Sequence, residues 1–302
     1  MESTEEHNQP PGKSWYDKNY KYLLILPILV LIISAIYLVN FQKQNGDIIY
    51  KDVTLTGGTT ITIFDPNINL DELNSALQTK FPDIHLRKIS DFRTGEQKGV
   101  ILETQAEVDE IKPEIESFLN YELTQENSSV EFSGEALSQG FYHQLRLAIF
   151  LAFIFMAIVV FIIFRTAVPS LAVILAALAD IVMTVAVVDI LGITLSTAGV
   201  IAFLMLIGYS VDTDILLTTR VIKRREGTIN ERMKGAFKTG MTMTLTSIAA
   251  MATALIVVYN ASEVLRQIFT IVLIGLGFDL FNTWLANASI IKWYAESKEG
   301  IN

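Results

Sequence analysis

Six apolar runs, each of roughly the 20 residues a helix needs to cross a bilayer, decide what this sequence can fold into. They are Tyr22–Val39, Leu145–Phe164, Pro169–Val188, Thr197–Leu217, Thr239–Tyr259 and Ile268–Trp293. The whole chain is 51% hydrophobic and only 18% charged, too apolar for an ordinary water-soluble domain. The lipid bilayer is therefore its expected partner on most faces. An α-helical membrane protein with six transmembrane helices is the fold class that follows.

Lysine and arginine placement sets the orientation, because short cytoplasmic loops retain them. The segment "RVIKRREGTINERMKGAFK" after the fourth run holds Arg220, Lys223, Arg224, Arg225, Arg232, Lys234 and Lys238. The N-terminal segment adds Lys13, Lys18 and Lys21, whereas "DILGIT" after the third run has none. The sequence thus divides into a cytoplasmic tail (1–21), helix 1 (22–39), an extracytoplasmic domain (40–142), helices 2–6 (143–293) with a cytoplasmic loop (218–238), and a cytoplasmic tail (294–302). The first apolar run lacks a small-residue cleavage site, so it is expected to stay as an anchor. The basic loop is read first as a topological anchor and second as a contact for a partner.

Several functions are disfavoured by content alone. There is no cysteine, and His7, His85 and His143 have no ligand spacing, so neither a thiol nucleophile nor a metal site is visible. The net charge of −9 argues against nucleic acid. With no nucleophile–base pair either, an enzyme is disfavoured, and no cofactor is expected.

Residues 40–142 alternate strand and helix patterns. "GTTITIF" (58–64) alternates isoleucine with threonine, as a half-buried strand does. "LDELNSALQTKF" (70–81) sets Leu70, Leu73 and Leu77 on one helical face. "DIHLRKI" and "KGVILET" read as paired strands, "AEVDEIKPEIESFL" as a second amphipathic helix and "SSVEFSG" as a last strand. The order βαββαβ predicts an α+β, ferredoxin-like sandwich. Gly57 and Gly58 open it, either for an unusual backbone turn or as a substrate-facing edge. Asn127 and Asn260 head acceptor sequons on the outer side, and residues 1–14 have the composition of a disordered tail.

Four acids fall inside the apolar runs: Asp180 in the third, Asp212 and Asp214 in the fourth, and Asp279 in the sixth. A carboxylate at the bilayer centre costs about 2.5–3.5 kcal/mol on insertion scales, and no lysine or arginine lies at matching depth. Burial without a counter-charge favours the neutral acid, so such groups can take up and release a proton. Residues two apart point about 200° from each other on a helix, so Asp212 and Asp214 cannot share one seam. Thr184 follows Asp180 and Ser210 precedes Asp214 by four residues, Asn282, Thr283 and Asn287 follow Asp279, and Thr242 and Thr246 add a polar stripe on the fifth run. Together they predict an interior polar seam. Asp189, at the outer boundary, reads as an interfacial residue.

"GYSVDTDI" (208–215) resembles the fourth-helix signature of the SecF family, the smaller half of the SecD–SecF accessory complex of protein export. "GGTTITI" and "LAALADIVMT" are similar to its outer-domain opening and third helix. The six-span layout with one large first outer loop is that of its archaeal branch. The resemblance covers essentially Tyr20 to Trp293. It implies an auxiliary subunit of the Sec pathway in the cell membrane, belonging to the resistance-nodulation-division superfamily. Its implied partners are a SecD-like subunit, a SecY-type channel and the translocating polypeptide. A proton or sodium gradient acting through the intramembrane carboxylates would drive it. Bacterial members carry their aspartate where Thr213 stands here. The role therefore falls to a flanking acid, with Asp212 favoured over Asp214. Ala179-Asp180 replaces a frequent His-Asp, "DVTLTGG" is longer than the usual opening, and Asp279 is closer to the SecD pattern. A half-size exporter of small molecules or lipids, and a purely structural assembly subunit, are the alternatives.

Overall fold

The computed structural model describes residues 15–91, 94–224, 226–259 and 262–300. The tail 1–14 and the sequon at Asn260 lie outside these residues.

A short helix α1 (Trp15–Leu23) leads into α2 (Ile25–Asn45), the first of six helices long and apolar enough to cross a membrane among the described residues. Gly46, with φ 79°, ends α2 in the left-handed region. The chain then crosses the domain-side end of the bundle. Leu195 N–H donates to the Tyr50 carbonyl (2.6 Å) and Asp52 N–H to the Leu195 carbonyl (3.1 Å). This places residues 47–52 over the turn between the third and fourth long helices.

The domain that follows runs α3 (Val53–Thr56), β1 (Gly58–Ile63), α4 (Leu70–Gln78), β2 (His85–Ser90), β3 (Gln97–Thr104), α5 (Val108–Leu119) and β4 (Ser128–Ser133). Its sheet is antiparallel in the order β2-β3-β1-β4, with Ile61 opposite Leu102 on one side and Val130 on the other. Period-two alternation sends Ile61, Ile63, Val100 and Leu102 to one face, where they bury against Leu73, Leu77, Ile111 and Ile115 of the two helices. Thr60, Thr62 and Arg87 fall on the other face, which looks toward the bundle across a cleft of about 840 Å³. The glycine pair serves the backbone: Gly57 and Gly58 have φ of 88° and 139°. A Cβ on Gly57 would strike Glu135, and one on Gly58 the Thr104 carbonyl.

The bundle consists of α2, α6 (Glu135–Phe164), α7 (Ala167–Ile190), α8 (Thr197–Thr218), α9 (Ile229–Val258) and a last span made of α10 (Glu263–Asn282), a π-helical turn (Thr283–Asn287) and α11 (Ala288–Glu299). A second π turn, Thr219–Lys223, ends α8. More than half of the apolar stretch is buried in α7 (61%) and α8 (56%), against 6% in α9, so α7 and α8 form the centre. Outward-facing Ile32, Ile36, Phe150 and Phe155 leave α2 and α6 a lipid-compatible surface.

Several helices extend beyond the hydropathy reading, most clearly α6 and α9. α6 begins at Glu135, inside the segment assigned to the outer domain, because nothing interrupts the helix between there and the apolar run. α9 begins at Ile229, inside the segment read as a loop. There the Thr228 hydroxyl accepts from Glu231 N–H while the Glu231 carboxylate accepts from Thr228 N–H, a complete capping box. Hydropathy reports membrane thickness, whereas caps decide where helices start.

α1 and α11 meet at the end of the bundle opposite the domain. Tyr20 donates its hydroxyl to Glu296 (2.8 Å), Ser289 donates to the Tyr20 carbonyl (2.8 Å), and Lys292 pairs with Glu296 at 3.1 Å.

Candidate functional site: three buried acids in the helix bundle

α7, α8 and α10 pack against one another, and each contributes one fully enclosed carboxyl group. Asp180 is 1% exposed, and Asp214 and Asp279 are 0%. No lysine, arginine or histidine pairs with any of the three among the described residues. Their surroundings are neutral donors instead. Ser210 on α8 donates to Asp180 Oδ2 (2.5 Å), and Asn282 donates to Asp180 Oδ1 (2.6 Å). Asn287 donates to Asp214 Oδ1 (2.6 Å). The Thr283 hydroxyl lies 2.8 Å from Asp214 Oδ1 and 3.2 Å from Asp279 Oδ1.

That last bridge has a chemical consequence. A hydroxyl carries one proton and can donate to one acid only. When it donates to Asp214, the contact with Asp279 is a hydrogen bond only if Asp279 carries a proton and donates in turn. The pair therefore suits one proton shared along Asp279, Thr283 and Asp214. Four further buried acceptor atoms are open: Asp214 Oδ2, Asp279 Oδ2, Asn282 Oδ1 and Asn287 Oδ1. A site this enclosed, with surplus acceptors, is suited to a proton or a small cation.

The π turn is what concentrates these donors. Ala288 N–H reaches back five residues to the Thr283 carbonyl, inserting an extra residue into the helix. Around it, Asn282, Thr283 and Asn287 are all directed inward, at 1%, 0% and 0% exposure. Thr184, one turn beyond Asp180, is buried and bonded to the Asp180 carbonyl (2.6 Å).

Not every residue expected in the seam is there. Asp212 is exposed on the opposite side of α8 and joins none of these bonds. Thr242 and Thr246 are a correction: both are exposed and return their hydroxyls to their own helix, to the Lys238 and Thr242 carbonyls. The inward residue of α9 is Thr244, 3% exposed, whose hydroxyl meets that of Thr213 at 3.4 Å. An i, i+4 stripe on a helix that is apolar all round does not tell which side faces the neighbours. Asn282 and Asn287, which stand at i+3 and i+8 from Asp279 in the sequence, supply the amide donors, and an amide buried in an apolar run is costly unless bonded in this way.

Fold and site together define a multi-pass membrane protein with an acid-bearing helical core and one α/β domain carried at its end. The comparisons with known proteins sharpen this. Residues 115–297 match the family described as protein export membrane protein SecD/SecF, C-terminal. The chain belongs to this SecD/SecF protein-export family, in its SecF branch. It is 41% identical over 283 residues to the protein-export membrane protein SecF of Methanocaldococcus jannaschii, covering 92% of this chain and 96% of the relative. To that of Methanothermobacter thermautotrophicus it is 42% identical, covering 92% and 94%. The crystal structure of SecDF from Thermus, a translocon-associated membrane protein, superposes with a TM-score of 0.70 at 18% identity. It covers 94% of this chain but only 39% of that longer one.

Proposed function

We propose that this protein is a SecF-type auxiliary subunit of the Sec export machinery, and that Asp180, Asp214 and Asp279 couple movement of H⁺ or Na⁺ to its work. The family supports the first part. The single observation behind the second is the convergence of three acids from three helices on neutral donors, with no cation beside them. A purely structural role would be served as well by apolar packing, at lower cost. The coupling role passes from Asp212 to Asp214, because only the latter lies in the centre.

In this reading a SecD-like subunit supplies the remainder of the longer SecDF architecture, and a SecY-type channel delivers the polypeptide. The βαββαβ order and the sheet order 2-3-1-4 support a ferredoxin-like outer domain. Its cleft toward the bundle, lined by Thr60, Thr62, Arg87, Glu131, Tyr259 and Arg266, is where an emerging polypeptide would lie in this reading. The termini face the cytoplasm and the domain lies outside, as the basic residues around α9 favour.

The test replaces Asp180, Asp214 and Asp279 singly by Asn and measures secretion in cells, with co-purification of the SecD-like subunit as a control for assembly. Secretion should fall for each variant while assembly persists. Normal secretion in all three would remove ion coupling.

A further inference from the structure

One buried acid takes no part in that centre. Asp189 stands on α7 beyond Asp180, on the side facing the α/β domain. The separation of nine residues in sequence corresponds to about 13 Å at a rise of 1.5 Å per residue. It is 3% exposed, with no side-chain donor on either carboxylate oxygen and only the Tyr50 main chain beside it as a hydrogen-bond donor. A buried carboxylate with no counter-charge and no side-chain donor is costly, and a group so placed calls for an explanation.

Its position limits what that explanation can be. The segment 47–52 that crosses this end of the bundle brings the Asp47 carboxylate and the Tyr50 main chain into its surroundings, with Tyr37 from α2. None of these is a cation. Asp47 is itself answered by Lys51 at 3.0 Å and by the Tyr142 hydroxyl at 3.2 Å. Arg146 and Arg266, also at this end, lie over the rings of Tyr142 and Tyr259. The outer turns of α8, Thr197 to Leu206, carry no titratable residue. Asp189 is thus shut off from lipid and separated from the domain side by one irregular segment.

The open acceptors give the second observation. Asp189, then the Asn282 amide oxygen beside Asp180, then one oxygen each of Asp214 and Asp279, lack side-chain donors. They lie on one packed group of helices, from the domain end to the middle of the bundle. Buried acceptors short of donors mark places for a positive occupant.

We propose that Asp189 is an outer binding station, where a monovalent cation, a proton or an alkali-metal ion, is taken up from the domain side before it reaches the central acids. In the proton case one O–H bond forms on Asp189, the proton coming from water. In the other case the carboxylate is a direct ligand. That the ion then serves export rests on the function proposed above; binding at Asp189 does not.

Infrared difference spectra of the full-length chain in lipid vesicles test this, first between two pH values at constant salt, then between sodium and choline solutions at constant pH. The wild type should show a carboxyl change that Asp189→Asn removes and Asp214→Asn keeps. A response in the pH arm assigns a proton, and one in the sodium arm an alkali ion. Asp189→Glu, which retains the acid if the amide variant fails to fold, should shift the band. Persistence of every carboxyl change in Asp189→Asn, or an unmoved band in Asp189→Glu, overturns the proposal. A responsive Asp189 band alongside normal secretion in the central variants would sink the coupling reading and leave the station standing.

Discussion

Asn282 and Thr283 are neighbours in sequence, yet they serve different helices: Asn282 donates to Asp180 on α7, and Thr283 bonds Asp214 on α8. The start of the π turn lies between them, so one short stretch of the last span holds the two central helices in register. Any change in the protonation of either acid is felt at this junction.

Replacing Thr283 by Val keeps the shape and removes the bridge. Asp214 retains Asn287, so the loss should be near the low end of the 1–3 kcal/mol expected when a buried acceptor loses its donor. Asn282→Leu leaves Asp180 Oδ1 unanswered and should cost more within the same range. Thermal unfolding of the full chain in detergent orders the two variants.

The two acids of "VDTD" should separate cleanly. Asp212→Asn touches an exposed residue and should leave stability within about 0.5 kcal/mol of wild type, with secretion unchanged. Asp214→Asn should abolish the coupling-dependent part of secretion. Side-by-side secretion assays of the two variants decide which acid matters.

Gly58→Ala tests the domain entrance. With φ at 139° and the Thr104 carbonyl where a Cβ would stand, the change should destabilise the protein by about 1–3 kcal/mol. Gly95→Ala, at φ 72° but with open space around it, should be milder. Unfolding midpoints of the two variants give the comparison.

The outer domain should also show an alkaline signature. Tyr121 donates to Asp65 (2.9 Å), and burial together with this carboxylate pushes its phenol up to about 12 from 10.0. The folded state holds that proton more tightly than the unfolded chain. The stabilisation is therefore complete below pH 10 and lost as pH rises toward 12. Tyr121→Phe should remove this part of the alkaline loss, as read from unfolding at stepped pH and from phenolate absorbance.

Much of the architecture was legible before any coordinates. Six apolar runs gave six spans, and alternating isoleucines in "GTTITIF" gave the central strand, because burial on one face leaves a period of two. The acids were legible as a set, since charge in hydrocarbon is conspicuous. Their pairing was not. Thr184, Ser210 and Thr283 fell where helical spacing put them, but Thr242 and Thr246 turned outward. Asn282, which binds Asp180, precedes and Asn287, which binds Asp214, ends a π turn whose extra residue no periodicity announces. The boundaries of α6 and α9 were missed for a related reason: polar helical turns beyond the membrane carry no hydropathy signal.

What the sequence determined by itself is that this chain must span a bilayer six times and carry titratable groups within it, because those facts follow from transfer free energies summed along the chain. Which acids meet, and which stand alone, was decided only by tertiary packing. On a helix apolar on every side, burial energy does not choose a rotation. The choice comes from hydrogen bonds between helices, such as those from Ser210, Asn282 and Asn287, which are satisfied in one mutual arrangement and broken in the others.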